Sequence, residues 1–267
     1  MKIISWNING YRAITGQNPS KRYDKVSKDN KLFAFIEQEN PDIIMLQETK
    51  ASPEQIAQEL ISPEGYEYYY NSSREKKGYS GVAVFTKIKP KNVNDSIGVP
   101  RFDIEGRILE LHFSDFVLFD VYFPKGYEDS ERLNYKLEFY DDFFNYVEML
   151  RKKKKNIIIA GDYNTAHHEI DIARPKENIT VSGFMPVERE KLDWIEKLGY
   201  VDTFRIFNKD AGNYTWWSQR GRARENNIGW RIDYFFVTKN MLAKLKNSYH
   251  KPDILGSDHC PVFLELT

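Results

Sequence analysis

Short runs of apolar residues, each bounded by polar residues or by Gly and Pro, recur along the chain and predict buried β-strands. Many of these runs are apolar at consecutive positions, which is typical of strands that are covered on both faces. The predicted strands are Ile3–Ile8, Asp42–Gln47, Gly81–Thr86, Arg107–His112, Phe116–Phe123, Asn156–Gly161, Ile232–Val237 and Pro261–Leu266.

Between these runs, apolar residues spaced three and four positions apart predict helices. Ser52 is a suitable N-cap for one of them, and Pro53 is a suitable first helical residue. Strands and helices mix without a linker or a change of composition, so the pattern predicts sheets with helices packed outside, in one domain that spans residues 1–267. The predicted helices are Leu32–Glu39, Pro53–Leu60, Leu133–Leu150 and Glu188–Leu198.

Composition narrows the class of protein. Hydrophobic residues make up 41% of the 267 positions, which excludes a disordered chain. The 39 Lys and Arg residues balance 39 Asp and Glu residues, so bulk charge alone would not hold the chain on nucleic acid. Cys260 is the single cysteine, which excludes a disulfide-stapled fold. Because the sequence shows no membrane-spanning run, no signal peptide and no sign of an oligomer, we expect a soluble, cytoplasmic monomer.

Two charged segments have no assigned chemistry. Asn18–Lys31 is an unusual insert rich in lysine, and we expect a solvated basic loop there. Arg151–Lys155 is a five-residue basic run that follows the longest predicted helix. A solvated helix end, favoured by the helix dipole, explains this run better than a binding patch does.

Polar side chains stand where the predicted strands end, and they are unsuited to a core. A buried polar group is costly unless it is paired or ligates an ion. Strand ends from one sheet can meet at one edge, where sites commonly form. The residues concerned are Asn7, Asn9, Glu48, Tyr122, Asp162, Asn164, Asp233, Asp258 and His259.

This set of side chains favours one kind of metal chemistry. The chain has no CxxC, HExxH, GxxxxGK[ST], GxGxxG or GxSxG motif, so zinc fingers, P-loops and Rossmann sites are unsupported. Carboxylate and amide oxygens suit a hard cation such as Mg²⁺ or Mn²⁺. Together with a histidine, they fit metal-assisted phosphodiester hydrolysis.

At these positions the sequence resembles the exonuclease III / abasic-site (AP) endonuclease family of DNA-repair nucleases. The resemblance covers nearly the whole chain, and the segments LQETK, YTWW…GWRIDY and SDHCPV are jointly its most specific part. The matching segments are WNING, PDIIMLQETK, KGYSGVAVFTK, DIEGRILEL, VYFPKG, GDYNTAHHEIDIARPKEN, SGFMPVER, GYVDTFR, YTWWSQR, NIGWRIDYFFV and GSDHCPV.

The resemblance implies a fold, an activity and a partner. The implied fold is the DNase I-like endonuclease/exonuclease/phosphatase fold, a four-layered α/β sandwich in which helices flank two packed mixed β-sheets. The implied activity is Mg²⁺-dependent incision 5′ to abasic sites in double-stranded DNA, with 3′–5′ exonuclease or 3′-phosphodiesterase activity; Mn²⁺ can substitute. Incision at damaged bases or uracil is left open, and no obligate protein partner is implied.

The resemblance also implies a role for each strand-end residue. Asp162 orients or activates the attacking water, and Asp233 is the partner of His259, although either Asp162 or His259 could be the general base. The metal-binding residues are Glu48, Asn9 and Asp258. The groups that hold the scissile phosphate are Asn7, Tyr122, Asn164 and His259. The pocket for the flipped abasic sugar is lined by Trp216, Trp230 and Ile232.

DNA contacts are expected from basic and polar residues in loops. The segment Arg220–Arg231 carries a net charge of +3 and is flanked by tryptophans, which favours DNA contact over a purely solvated loop. Arg174 fits DNA contact or a scaffold role equally well. The predicted DNA-binding residues are Lys50, Arg74, Lys77, Tyr79, Lys125, Arg174, Ser218, Arg220, Arg222, Arg224 and Asn226.

Several alternatives stay open. Position 9 is Asn where some relatives have Asp, and position 125 is Lys where relatives often have Asn or Gln. Adjacent strand residues face opposite ways, so we place Trp216 in the site and Trp217 in the core. Rival functions are a same-fold phosphoesterase with another substrate (general nuclease, sphingomyelinase-like or inositol-phosphatase-like) and a non-catalytic DNA-binding module. The histidines expected to be structural or on the surface are His112, His167, His168 and His250.

Overall fold

The structure is a computed structural model that describes residues 1–17, 29–127, 130–153 and 155–267. Most of the predicted basic loop Asn18–Lys31, residues 18–28, lies outside the described residues. The strands are β1 (Lys2–Asn7), β2 (Ile43–Gln47), β3 (Glu67–Asn71), β4 (Val82–Thr86), β5 (Asn92–Asn94), β6 (Ile108–His112), β7 (Val117–Tyr122), β8 (Ile157–Asp162), β9 (Tyr200–Asp202), β10 (Trp216–Trp217), β11 (Gly229–Trp230), β12 (Asp233–Thr238), β13 (Leu245–His250) and β14 (Val262–Leu266).

The helices lie between and around these strands. The α-helices are α1 (Tyr11–Ile14), α2 (Lys31–Glu39), α3 (Pro100–Asp103), α4 (Ser130–Lys152), α5 (Pro175–Asn178), α6 (Pro186–Leu198) and α7 (Phe204–Phe207). Short 3₁₀ helices cover Pro53–Gln55, Gln58–Leu60, Glu169–Asp171 and Lys239–Lys244. Among the described residues, no helix is both long and apolar enough to cross a membrane.

The strands form two large mixed sheets. One sheet has the order β13-β14-β1-β2-β4-β3, and the other has the order β5-β6-β7-β8-β12-β9. Strands β1 and β2 run parallel, as do β7 and β8, while their other neighbours are antiparallel. A short hairpin of β10 and β11 stands apart from both sheets.

The two large sheets pack face to face, and helices cover their outer faces. The shared core includes Ile3 and Val84 from the first sheet and Leu111 and Phe235 from the second. Helix α2 packs on the outer face of the first sheet, and α4 and α6 pack on the outer face of the second. The result has four layers, so the predicted α/β sandwich is confirmed.

Strand register brings the predicted site residues to one edge. Asn7 ends β1 beside Gln47 at the end of β2, and Tyr122 ends β7 beside Asp162 at the end of β8. Asp233 begins the antiparallel strand β12 directly opposite Asp162. The carboxyl ends of two parallel pairs, one in each sheet, therefore lie at the same end of the sandwich.

Most predicted elements are confirmed. Each predicted strand is present, with bounds that differ by no more than one residue. The predicted helix Pro53–Leu60 is wrong, because Ile56 and Ala57 adopt extended backbone angles and divide it into two 3₁₀ turns. Ile56 is 7% exposed and belongs to the core, so burial of its side chain overrides the helical pattern. The sheet-edge strands β3 and β13 were not predicted, because most of their residues are exposed or half-buried and form no continuous apolar run.

Candidate active site

Three residues just beyond the strand ends have left-handed backbone angles. Asn9, Glu48 and Asn164 have φ values of 49°, 52° and 51°. This conformation is unfavourable for residues with a Cβ atom and tends to occur where the surrounding structure holds a functional group in place. These turns place the three side chains at the shared edge of the two sheets.

Asn7 links a carboxylate from each sheet. Its side-chain Nδ2 donates to Glu48 Oε1 and to Asp162 Oδ2, each at 2.9 Å. Asn7 is 0% exposed, and an amide nitrogen carries two hydrogens, so both are used within the protein. In this structure Asn7 therefore positions the two carboxylates, and its contact with a phosphate stays a prediction.

Lys50 neutralises the outer side of the Glu48 carboxylate. Its Nζ lies 2.7 Å from Glu48 Oε2 and 2.5 Å from Asn9 Oδ1. Burial would raise the pKa of Glu48, but the Lys50 ammonium and the hydrogen bond from Asn7 hold that pKa below its ordinary value. Glu48 is therefore ionised at neutral pH. Asn9 in turn donates from Nδ2 to Asp258 Oδ1 at 2.8 Å, which connects the three predicted metal-binding residues.

His259 forms a buried pair with Asp233. The distance from His259 Nδ1 to Asp233 Oδ2 is 2.9 Å, and Thr215 Oγ1 donates to the same oxygen at 2.6 Å. Burial would lower the pKa of His259, but the charge of Asp233, its hydrogen bond and the charge of Asp162 raise that pKa to about 10. His259 is therefore a cation at neutral pH.

Asp162 lies next to this imidazole. The distance from His259 Nε2 to Asp162 Oδ2 is 3.9 Å, which is beyond hydrogen-bond range. Burial raises the pKa of Asp162 to about 7, and the Asp233 charge contributes in the same direction. A carboxylate that titrates near neutral pH can accept a proton from water at that pH.

Tyr122 and Asn164 complete the centre. Burial and the charge of Glu48 raise the pKa of Tyr122 well above its ordinary value, so its hydroxyl stays protonated. Asn164 Nδ2 donates to the Phe123 carbonyl at 2.9 Å, and its backbone N–H donates to Asp162 Oδ1 at 2.8 Å. Asn164 thus helps to fix the orientation of the Asp162 carboxylate.

This centre could hold a metal ion. One carboxylate oxygen of Glu48, one of Asp162 and one ring nitrogen of His259 lie within 4.8 Å of one another, and the carboxylates are the groups with free lone pairs, since His259 is protonated at neutral pH. Two of the three groups are carboxylates, which are the ligands that hard divalent cations prefer.

An aromatic pocket adjoins the charged centre. Trp216 and Trp230 pair across the β10–β11 hairpin, with ring centroids 6.0 Å apart and planes at 89°. Both rings pack against an apolar cluster that includes Ile232, and Trp216 Nε1 donates to Asp258 Oδ2 at 3.2 Å. Trp217 is 2% exposed and packs elsewhere in the core, as predicted. A groove of about 690 Å³ is lined both by these rings and by the charged residues.

Comparison with known proteins agrees with this geometry. A model described as "Endonuclease/Exonuclease/phosphatase family" matches residues 4–259. The chain belongs to this family. Over 265 residues it is 41% identical to an exodeoxyribonuclease of Bacillus subtilis (strain 168), covering 99% of this chain and 98% of that protein. It is 40% identical over 266 residues to a DNA-(apurinic or apyrimidinic site) endonuclease of Dictyostelium discoideum, covering 98% of this chain and 69% of that protein.

A solved structure of a similar protein has the same fold. The crystal structure of the Xenopus laevis APE2 catalytic domain superposes with a TM-score of 0.85 at 29% identity, covering 100% of this chain and 91% of that chain. As a member of the endonuclease/exonuclease/phosphatase family with such relatives, the chain is a phosphodiester hydrolase.

Two residues that were predicted to contact DNA line the groove of about 690 Å³ described above. Tyr79 and the exposed Lys125 both lie there. The buried Arg107, which sequence analysis did not single out, donates to the Tyr79 hydroxyl at 2.8 Å and to the Tyr122 carbonyl at 3.0 Å. Arg107 therefore ties a groove residue to a residue of the charged centre.

Arg224 has a different place from the one predicted. Its guanidinium donates to the carbonyls of Pro252, Ile254 and Ser257, at 2.7, 2.7 and 2.8 Å. It also lies over the Trp217 ring, 4.7 Å from the centroid. Through these contacts Arg224 stabilises the segment before Asp258. Because its guanidinium already donates to protein carbonyls, the structure argues against its predicted role in binding DNA.

The other predicted DNA-binding residues are spread over the surface. Arg222 pairs with Glu225 at 2.5 Å, and the side chains of Arg174 and Glu177 approach to 3.7 Å. Arg74 donates to the Asp103 carbonyl at 2.9 Å. Lys50 contacts Glu48 and Asn9, as described above. Exposed or half-exposed loops also carry Lys77, Ser218, Arg220 and Asn226, and DNA contact by any of these surface residues stays a prediction.

A buried ion pair behind the site was missed by sequence analysis. Lys136 Nζ lies 2.5 Å from Glu188 Oε1 and donates to the Asn164 carbonyl at 2.7 Å. Glu188 Oε2 accepts from the Gly183 N–H at 2.6 Å, and Gly183 lies against the Trp230 ring. One signal was available, because Lys136 occupies the apolar stripe of its helix, where a lysine needs a partner.

Proposed function

We propose that this phosphodiester hydrolase incises double-stranded DNA 5′ to abasic sites and also has 3′–5′ exonuclease or 3′-phosphodiesterase activity. The observation that carries the proposal is a single groove that is lined both by Glu48, Asn164 and His259 of the charged centre and by the apolar tryptophan pocket. The relatives named exodeoxyribonuclease and apurinic or apyrimidinic site endonuclease support it.

The reaction needs a water molecule that loses a proton as it attacks phosphorus. Asp162 is suited to this step, because its pKa of about 7 leaves a large share of the carboxylate ionised at neutral pH. The water oxygen forms the new bond to phosphorus, its proton passes to Asp162, and the bond between phosphorus and the 3′ oxygen breaks. Asn7 and Asn164 hold Asp162 in place through hydrogen bonds to its two oxygens.

Negative charge that develops on the phosphoryl oxygens needs fixed donors. The raised pKa of His259, about 10, keeps its imidazole cationic at neutral pH, and its Nε2 makes no hydrogen bond to Asp162. Tyr122 stays protonated at neutral pH and so retains its O–H donor. Donors that are already positioned by buried partners stabilise a transition state without reorganisation.

The residues present fit a hard divalent cation such as Mg²⁺, with Mn²⁺ as a substitute. Glu48 would hold it, because this carboxylate is ionised, and Asn9 and Asp258 lie next along the same hydrogen-bonded chain. When bound, such a cation supplies positive charge that stabilises negative charge on phosphoryl and leaving oxygens.

The aromatic pocket explains a preference for abasic sites. Extruding a normal nucleotide from a duplex costs a few kcal/mol of stacking and pairing, and an abasic sugar has no base to unstack. Trp216, Trp230 and Ile232 offer apolar surface beside His259, with the Trp216 and His259 ring centroids 6.5 Å apart. A bare deoxyribose would pack there, whereas a base would clash with the rings.

The test is cleavage of a duplex with one abasic site, followed with Mg²⁺ and with EDTA. Asp162→Asn should bind this duplex and lose about 10²–10⁴-fold in single-turnover rate, because an amide cannot accept the proton. Asp120→Asn is a matched control, since Asp120 is also buried and lies on the adjacent strand β7, where burial raises the pKa of its carboxyl well above the ordinary value. Asp120→Asn should keep the wild-type rate.

The same assay separates the alternatives. A same-fold phosphoesterase with another substrate would cut intact and abasic duplexes at equal rates or cut neither. A non-catalytic DNA-binding module would bind the abasic duplex and cut it with neither Mg²⁺ nor Mn²⁺. Equal rates for wild type and Asp162→Asn would assign the proton acceptor to another group.

A further inference from the structure

A second cluster of metal-ligating side chains lies outside the candidate active site, between the segment after β8 and helix α6. The rings of His167 and His168 stack with centroids 3.7 Å apart. Asp193 Oδ1, on α6, lies 2.8 Å from His167 Nε2, and Glu196 Oε1, one turn further along α6, lies 4.0 Å from His167 Nδ1. One ligand atom from each of His167, His168 and Asp193 lies within 4.8 Å of the other two.

His167 contributes a buried nitrogen that the protein leaves unused. The side chain is 1% exposed, and within the described part of the chain its Nδ1 has no hydrogen-bond partner. The backbone on either side is fixed, because the His167 N–H donates to the Tyr234 hydroxyl at 3.1 Å and its carbonyl accepts from Arg189 at 2.7 Å. A buried nitrogen without a partner is unusual and calls for an explanation.

We propose that the free Nδ1 of His167 binds a divalent transition metal, Zn²⁺ in the first place, together with His168 and Glu196, at a site separate from the candidate active site. Asp193 would support this site by accepting from the Nε2–H of the same imidazole. Two imidazoles with carboxylates suit Zn²⁺, Co²⁺ or Ni²⁺, whereas Mg²⁺ prefers oxygen ligands alone.

The two clusters offer different ligand atoms, so they should prefer different metal ions. In the active-site cluster the single imidazole belongs to His259 and is already paired with Asp233, and the remaining ligands are carboxylates. In the second cluster the exposed His168 and the half-exposed Asp193 leave an entry path from solvent.

The bound ion would join two elements that support the active site. His167 follows Asn164 by three residues, and α6 also carries Glu188, which holds Lys136 against the Asn164 carbonyl. A metal that binds the folded chain and not the unfolded chain stabilises folding in proportion to the logarithm of its concentration. The expected effect is therefore a higher melting temperature and not a direct change in the chemistry.

The test uses Zn²⁺ titration of the metal-free full chain in excess Mg²⁺, with a chromophoric chelator as competitor. Glu48→Gln serves as the background, so that the active-site cluster contributes little to Zn²⁺ binding. In this background His168→Ala and Asp193→Asn should each weaken Zn²⁺ binding by at least about tenfold. His112→Ala is the matched control, because His112 pairs with Glu110 at a distant place and should leave the affinity unchanged.

Two further measurements define the outcome. Zn²⁺ should raise the melting temperature of the Glu48→Gln chain and should not raise that of the chain that also carries His168→Ala. The side-chain NMR signals of His167 and His168 should move on Zn²⁺ addition and stay in place with Mg²⁺ alone. Equal Zn²⁺ affinity with and without His168, or unchanged His167 signals at saturating Zn²⁺, would overturn the proposal.

Discussion

The buried pair of Lys136 and Glu188 allows the support of the active site to be tested by one substitution. Both side chains are 0% exposed, and Lys136 Nζ lies 2.5 Å from Glu188 Oε1. Glu188→Gln keeps the shape of the side chain and removes its charge, so the Lys136 ammonium loses its buried counter-ion. Burial already lowers the pKa of Lys136, and loss of the carboxylate lowers that pKa further.

The contacts of Glu188 set the size of the effect. Its carboxylate accepts from Lys136 at one oxygen and from the N–H groups of Gly183 and Met185 at the other, at 2.6 and 3.1 Å. A glutamine amide has one acceptor oxygen and cannot satisfy both sides. Breaking a buried ion pair costs about 3–5 kcal/mol in the free energy of unfolding.

The matched control is an exposed ion pair that includes a residue of helix α4, the helix that also carries Lys136. Arg101 Nη1 and Glu138 Oε2 are 2.6 Å apart, but both side chains are 51% exposed. Glu138→Gln should cost about 0–1 kcal/mol, because an exposed pair contributes little. Urea unfolding at pH 7 measures both losses. The double variant Lys136→Met/Glu188→Gln should be more stable than Glu188→Gln, since no unpaired cation remains buried.

The same variants report on the active site. Loss of the pair should shift the Asn164 carbonyl and the Gly183 segment beside Trp230, and kcat/KM for abasic-site cleavage should fall about 10–100-fold in the folded protein. If Glu188→Gln costs no more stability than Glu138→Gln, the reasoning about buried charge is refuted. If stability falls and kcat/KM is unchanged, the pair supports the fold and does not position the site.

Other predictions use the same assays. Asp233→Asn should remove the main charge that raises the pKa of His259, so the fall of the incision rate at high pH should begin well below pH 10 in a pH–rate profile. Trp216→Ala should slow abasic-site cleavage modestly and raise the relative single-turnover rate on intact duplex, because a base could then enter the pocket. His167 is buried with a folded pKa of about 4 and an unfolded value near 6.5, so the unfolded chain binds the extra proton first. Stability in urea should hold above about pH 6.5 and fall by up to about 3 kcal/mol as the pH drops toward 4, and His167→Asn should flatten this loss.

Much of the fold was predictable because its strands are covered on both faces. Such strands are continuous apolar runs with sharp polar ends, and those ends fix both their bounds and the position of the site. Asp162 and Asn7 stand at such ends, so the sequence indicated that they could belong to one site, but only the structure shows that they come from two different sheets. Edge strands such as Glu67–Asn71 carry no comparable signal, since half of their surface faces solvent.

Contacts between residues far apart along the chain could not be predicted from the sequence. Lys136 and Glu188 are 52 positions apart, and nothing in either segment indicates its partner. Arg224 lies in a basic loop like many nucleic-acid contacts, but its guanidinium is used by three carbonyls of another segment. The sequence shows that a loop carries charged residues, but only the structure shows which groups those side chains contact.

The two pKa values favour one of the two candidate general bases that the sequence left open. His259 Nε2 and Asp162 Oδ2 lie 3.9 Å apart in the same buried centre, but their environments give the two groups different pKa values. Groups with different pKa values suit different roles in proton transfer. Asp233 on the far side of the ring keeps His259 protonated, with a pKa of about 10, so His259 has no free lone pair at neutral pH. Asp162, with a pKa of about 7, has one. On these grounds we propose that the proton of the attacking water goes to Asp162 and that His259 acts as a donor to the phosphoryl oxygen.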